Sequence, residues 1–445
     1  MKVNKKQITV YDQIYDKIQE YRKTLITTVI IMIPIIFILY LLNIHNYIFP
    51  ELVIFRLDIY YRYFGIIFLL MHLYELFYKK EKPSISDWFL YLFIIMTIIS
   101  TIFAKNTTVA LFGYPNRYEG LYTLMFYSFL YLNCKRIKDN DYVKSMTKII
   151  ISVSIIHLLV VILQLTGLFS KLIYMYNSGD AIGLTENCNF LGSLMCMISM
   201  LTSGAYLLKI DKNNVFYLIG FVVSYITLLL ANSTGPFISF IGTFILFFIY
   251  LLIKKKLVLK NFIVCLLIII ILYPVVLYKR DDITPEIKSH INYFVEKIDG
   301  NNNDDSNKGL TTNQLGHGRV KIWKNTWKII KKSPIIGYGP DNLGLVYEKS
   351  VGEKKIADKA HNIYLHIFAS SGVFALIGYI GFVITNIINS LKSKNSLVIV
   401  ICFAIIAYSI QGIFNINVSE VTPYFYILLG FMMSLLSNET IKSNK

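Results

Sequence analysis

His361 and Asn362 carry the clearest chemical suggestion in the chain. They open an apolar run, within Ala360-His361-Asn362-Ile363-Tyr364-Leu365-His366. The start of a helix presents unsatisfied backbone N–H groups and a partial positive charge. That end favours a bound phosphate and disfavours imidazolium. A neutral His361 there is suited to accept a proton from a hydroxyl. The bland reading is an interfacial histidine with a capping role. Upstream, Arg319 leads RVKIWKNTWKIIKK, residues 319–332. Trp323, Thr326, Trp327 and Ile330 recur at i, i+3, i+4 and i+7, as on one helical face. Lys321, Lys324, Lys328 and Lys331 lie elsewhere around the wheel. The pattern predicts an amphipathic helix lying on a membrane surface, with Trp at the headgroup level. Arg319 falls four residues before Trp323, on the same side, where it either snorkels or reaches a phosphate. Between the two features, Pro334-Ile335-Ile336-Gly337-Tyr338-Gly339-Pro340-Asp341-Asn342 has the glycines and prolines of a tight turn.

Other chemistries find no footing. His45, His72, His157, His290, His317 and His366 show no metal spacing, although His317 lies close to Arg319 in sequence. The cysteines Cys134, Cys188, Cys196, Cys265 and Cys402 are scattered and mostly sit in apolar runs, as small hydrophobes do. A calcium loop starting at Asp304 would put Lys308 at a ligand position and Leu315 where a bidentate Glu belongs. HExxH, GxSxG and P-loop patterns are absent from the sequence. No metal and no cofactor is expected.

The elements that must position these residues are membrane helices. The chain has 445 residues, 55% hydrophobic, with a mean hydropathy of +0.55. Apolar runs fall at about 25–45, 62–78, 88–104, 119–134, 148–167, 188–208, 215–231, 235–253, 261–278, 361–384, 396–412 and 423–437. Many are long enough to cross a hydrocarbon core of ~30 Å as a helix. In lipid the backbone must satisfy its own hydrogen bonds, so helix is the expected form. The fold class expected is therefore an all-α polytopic integral membrane protein with about 12 transmembrane helices.

The net charge of +17 is not read as nucleic-acid binding, because the cations concentrate in the connections. Lys79-Lys80-Glu81-Lys82, Lys135-Arg136-Ile137-Lys138, Lys254-Lys255-Lys256 and Lys392-Ser393-Lys394 share one side with both termini. The positive-inside bias makes that side cytoplasmic. The expected organisation is a basic arm at 1–24, helices 1–9 within 25–278, a long extracytoplasmic loop at 279–360, helices 10–12 within 361–437, and a cytoplasmic tail at 438–445. No cleaved signal peptide is read at the N-terminus. In the long loop, the asparagine-rich stretch 300–309 has the composition of a tether.

These residues resemble a family. Gly318-Arg319, Trp323, Pro334-Ile335-Ile336-Gly337-Tyr338-Gly339, His361-Asn362-Ile363-Tyr364-Leu365 and Ser371-Gly372, in that order, look like the signature of the O-antigen ligase and O-antigen polymerase family of bacterial membrane glycosyltransferases. The resemblance implies a GT-C-like helical fold. It also implies glycan transfer from an undecaprenyl-diphosphate-linked oligosaccharide donor to a glycan or cell-envelope acceptor, with inversion and without a metal ion. In such proteins arginines hold the diphosphate and the His of the His-Asn motif is the proposed base.

On that basis His361 and Arg319 are the catalytic candidates, and Arg117 and Arg319 the diphosphate-binding ones. Asn362, Tyr364, Glu119, Asn187, Gly337 and Gly339 are supporting candidates. Two further segments share the resemblance. In Tyr114-Pro115-Asn116-Arg117-Tyr118-Glu119-Gly120, Arg117 and Glu119 are either a structural pair or part of the donor site. In Thr185-Glu186-Asn187-Cys188-Asn189-Phe190, the amides suit sugar hydroxyls or helix capping equally. The chain departs from the family at Ser233-Thr234-Gly235-Pro236, where an Arg is usual; Arg117, Arg280 or a loop lysine is left to replace it. The partners expected are lipid-linked donor, acceptor and membrane lipids, with no nucleic acid. The rival from another class is a flippase or transporter, for which internal repeats and charge near the midplane are the usual signs.

Overall fold

The computed structural model describes residues 10–41, 57–78, 80, 82–115, 117–168, 181–277, 318–352 and 357–443. His45, Arg280, His290, the stretch 300–309 and His317 lie outside the described residues. The described chain is helical: α1 (Val10–Leu41), α2 (Leu57–Tyr78), α3 (Ile85–Ile102), α4 (Thr107–Phe112), α5 (Leu121–Lys135), α6 (Asn140–Thr166), α7 (Cys188–Leu207), α8 (Val215–Leu230), α9 (Thr234–Ile253) and α10 (Leu259–Leu277). After the long connection come α11 (Arg319–Ile330), α12 (Leu343–Val351), α13 (Ile363–Ser390), α14 (Ser396–Gln411) and α15 (Thr422–Ser443). Each apolar run of the sequence coincides with one of these helices. The short α4 and the pair α11 and α12 lie in connections. Among the described residues, seven helices are long and apolar enough to cross a membrane, and α8 and α14 are shorter apolar helices.

The apolar residues are divided as a bilayer requires. α7 is buried nearly all round, packed against α8, α9 and α14. α6 and α10, by contrast, leave large aliphatics exposed at helical spacing, Ile155, Leu159 and Ile162 on one and Ile263, Leu267 and Ile270 on the other. An exposed stripe of that kind faces lipid, because water would oppose it. α13 and α3 lie close along their length. The closeness needs glycine: a Cβ at Gly378 would lie 2.6 Å from the Phe93 backbone nitrogen, and one at Gly381 would lie 2.4 Å from the Phe89 ring. Small residues let membrane helices approach in this way.

α13 is broken one third of the way along. Gly372 has φ 83° and ψ 176°, inside the helix. The break frees carbonyls that a membrane helix cannot leave bare. The turn 334–339 satisfies them: Tyr338 N donates to Ala369 O (3.1 Å) and Gly339 N to Ser370 O (2.8 Å), while Val373 N donates back to Pro334 O (2.9 Å). Ser100 of α3 adds a further donor to Ser370 O (2.6 Å). Gly337 and Gly339 both take positive φ here, so their place is in this seam. A Cβ at Gly372 would sit 1.8 Å from Ile335 O. Gly372→Ala is therefore expected to lower stability by about 2–4 kcal/mol through overlap and left-handed strain. A thermal melt of the detergent-solubilised protein reads this, and an unchanged midpoint would contradict it.

Candidate active site

The seam fixes the turn before α13 and so the residues at its mouth. Asn362 caps the helix, its Oδ1 accepting from Leu365 N (3.0 Å). His361 stands just outside with φ 47°, a conformation that a non-glycine residue adopts at a cost. The surroundings hold it there. Trp323 Nε1 donates to His361 O (3.3 Å), and Ile363 N donates to Gly412 O (2.8 Å). Tyr118 and Asp341, also non-glycine, take the same positive φ nearby.

Beneath His361 lies a buried ionic cluster drawn from four segments. Lys359, 2% exposed, pairs with Glu119 (2.6 Å) and Asp341 (3.3 Å). Asp341 Oδ2 accepts from the backbone N–H groups of Tyr114 (3.0 Å) and Glu119 (3.1 Å). Tyr127 OH donates to Glu119 (3.0 Å), and His366 Nε2 lies 3.7 Å from Asp341 Oδ1. Burial alone would raise the Asp341 carboxyl, but Lys359, His366 and the backbone donors hold it well below the usual range. Burial likewise opposes the charge on Lys359, and Asp341 and Glu119 overcome it, leaving the ammonium above its ordinary value. Asp341 and Lys359 thus each favour their charged form at neutral pH.

Above it, Arg117 pairs with Asp358 (2.6 Å). Arg117 and Glu119, neighbours in the sequence, do not pair with each other; each finds its partner in the segment just before His361. Burial works against the Arg117 charge, and Asp358 more than restores it. The His361 imidazole is pulled down to about 4, by burial first and then by Arg319, with Asp358 opposing and Arg117 and His366 adding to the fall. It is neutral at physiological pH, chiefly because it is buried. Arg319, Arg117, Asp358 and His366 therefore all act electrostatically on His361.

On α11, Thr326 and Ile330 of the row read from the spacing are buried, Trp323 is half-buried and Trp327 is exposed. The buried residues are Ile322, Asn325, Thr326, Ile329 and Ile330, and they face α12 and α13. Asn325 Nδ2 donates to Tyr347 OH of α12 (2.7 Å). Trp327, 46% exposed, meets Phe368 edge-on at 5.8 Å. Trp323 lies against Phe414 at 6.4 Å. The buried stripe is shifted one residue back because Trp, with a polar N–H, sits at the edge of a buried face rather than at its centre.

The other candidates divide. Tyr364 OH donates to Ser409 O of α14 (2.7 Å), which anchors the helix and keeps this hydroxyl away from the charged groups. Asn187 caps α7, accepting from Asn189 N (2.8 Å). Ser233, beside the missing arginine position Thr234, donates to Asn189 Oδ1 (2.7 Å), so neutral hydrogen bonds hold that corner. Lys359, Asp341, Asp358, Glu186 and Glu420 belong to the site and carried no role in the sequence reading. The adjacency of Asp358 and Lys359 to His361 was the one signal that pointed to them.

Glu420, in the turn before α15, is 3% exposed. It accepts from Glu186 N (3.5 Å) and Ser419 Oγ (3.2 Å). Burial, and then Glu186, push its carboxyl up to about 8 from 4.5. A raised folded-state value means the fold holds a proton that the unfolded chain has released. That contribution to stability is present below about pH 4.5 and is lost as pH rises through about 8. Glu420→Gln is expected to flatten the decline in melting midpoint across that window. Parallel melts of both proteins at several pH values test it, and identical slopes would refute it.

Comparison with known proteins finds a match over part of the chain. The family model described as O-antigen ligase matches residues 219–380. The chain is also similar to a ComP-specific O-oligosaccharyltransferase of Acinetobacter baylyi, 24% identical over 142 residues. That match spans 29% of this chain and 24% of the relative. Arg319, the turn 334–339, Gly372 and His361 all fall inside the matched residues, and the chain is an all-helical polytopic membrane protein that is similar to the O-antigen ligase family over that segment.

Proposed function

We propose that the protein is an inverting glycosyltransferase of the cytoplasmic membrane of a bacterium. In this reading it transfers a glycan from an undecaprenyl-diphosphate carrier to an acceptor hydroxyl on the outer face. The single observation that carries it is the neutral His361 imidazole at a helix mouth, beside Arg319 and Arg117, in the segment that matches the O-antigen ligase family. The acceptor oxygen attacks the anomeric carbon as the bond from that carbon to the diphosphate oxygen breaks. Undecaprenyl diphosphate leaves, and the hydroxyl proton passes to His361. Charge grows on the diphosphate as the bond breaks, so preplaced arginines favour the transition state over the ground state. Asp358 holds the Arg117 guanidinium in place, and the Glu119–Lys359–Asp341 cluster holds the backbone beneath His361.

The same donor chemistry serves a ligase and a polymerase, which differ in acceptor. The test is to give the purified, reconstituted protein a labelled undecaprenyl-diphosphate oligosaccharide and a panel of acceptors. Transfer to a single conjugate identifies a ligase, and a ladder of lengths a polymerase. No transfer from this donor to any acceptor would sink the proposal.

A further inference from the structure

The opposite end of the bundle holds a second polar assembly. Arg22 of α1 is fully buried and reaches Glu75 of α2 (2.7 Å) and Asn133 of α5 (3.0 Å). Arg136 Nε lies 2.6 Å from the other Glu75 oxygen, and Arg136 also lies 2.7 Å from His72 Nδ1. Lys135 pairs with Asp87 at the start of α3 (2.7 Å). Glu75 and Asp87 are thus already shared among Arg22, Arg136 and Lys135.

Beside this assembly opens a cavity of about 360 Å³. Lys82, Lys135, Arg136 and Lys138 line it, against the single carboxylate of Asp87. Leu76, Leu132 and Tyr91 are among its apolar and aromatic walls, and Ser84, Ser437 and Asn438 add neutral polar groups. Trp88, 61% exposed, stands edge-on to Tyr91 at 5.8 Å, the amphipathic pairing found at headgroup depth. A concave site with cations in excess, apolar walls and a place at the helix ends suits an anion that carries an apolar body.

We propose that this cavity binds the phosphate of an anionic phospholipid headgroup, with the glycerol and upper acyl chain against Leu76 and Leu132. Basic pockets between helix ends attract such headgroups, and each cation near the surface adds to the attraction. The inference stands apart from the catalytic reading, since it uses other residues at the other end of the bundle. The test is native mass spectrometry of the full-length protein in detergent, titrated with phosphatidylglycerol, phosphatidylcholine or inorganic phosphate. Phosphatidylglycerol should bind roughly tenfold or more tightly than phosphatidylcholine. The preference should weaken with salt and largely vanish in Lys82→Gln/Lys138→Gln, whose substituted side chains are exposed. Competition by millimolar inorganic phosphate would assign the site to the free anion, and its absence to the lipid. Equal binding of the two lipids, or an undiminished preference in the double variant, would overturn the proposal.

Discussion

Replacing His361 with asparagine should reduce transfer by about 10²–10⁴-fold, the range for loss of a general base, with the protein still inserted and folded. Asparagine is the informative choice. It tolerates the positive φ that His361 adopts, so the backbone keeps its course while the proton acceptor is gone. The pH profile adds a second reading with a definite sign. In the free protein His361 lies at about 4, pulled down by burial and then by Arg319. The acid limb of kcat/KM reports the free enzyme and should fall near that pH. A bound diphosphate brings negative charge beside both arginines, which favours imidazolium and raises the His361 value. The acid limb of kcat, which reports the donor complex, should therefore lie at higher pH than that of kcat/KM. Wild-type rates in His361→Asn would remove His361 from the mechanism, and coincident limbs would remove the diphosphate from its neighbourhood.

The second large effect concerns stability. Lys359→Met should cost about 3–5 kcal/mol, the range for breaking a buried ion pair from one side. Glu119 and Asp341 both face Lys359, which is 2% exposed, and methionine would leave two carboxylates buried together without a cation. Adding Glu119→Gln should recover part of the loss, because one of the two charges goes and the Tyr127 hydroxyl can still donate to the amide oxygen. Melting midpoints of the single and double variants decide the matter. A single variant as stable as the wild type would show that the cluster is not charged as described.

The sequence and the structure agree most closely where one segment decides its own form. Apolar runs long enough to span a bilayer have no alternative to helix in lipid, and each became one. The turn at 334–339 was legible from its glycines and prolines, and Asn362 from its place before an apolar run. The site's charge pairs were not legible, for a physical reason. Arg117 meets Asp358 across 241 positions, and nothing local to either residue records the other. Lys359 resembles any loop lysine until the fold encloses it between Glu119 and Asp341. Spacing alone also did not tell which side of α11 meets protein, since it cannot see that α12 and α13 wait on the side that adjoins the Trp row.

The two ion pairs that run from 117 and 119 to 358 and 359 bear on how such proteins can be recombined. The segment that matches the family, 219–380, contains Asp358 and Lys359 and excludes Arg117 and Glu119. A chimera that takes this segment from a relative would import one half of each pair and keep the other. Its seam would run through buried charge, where a mismatch is least tolerated, even if every helix were of the right length. Domain shuffling in this architecture thus has a natural unit larger than the shared segment, and it must carry residues 114–120 along with it.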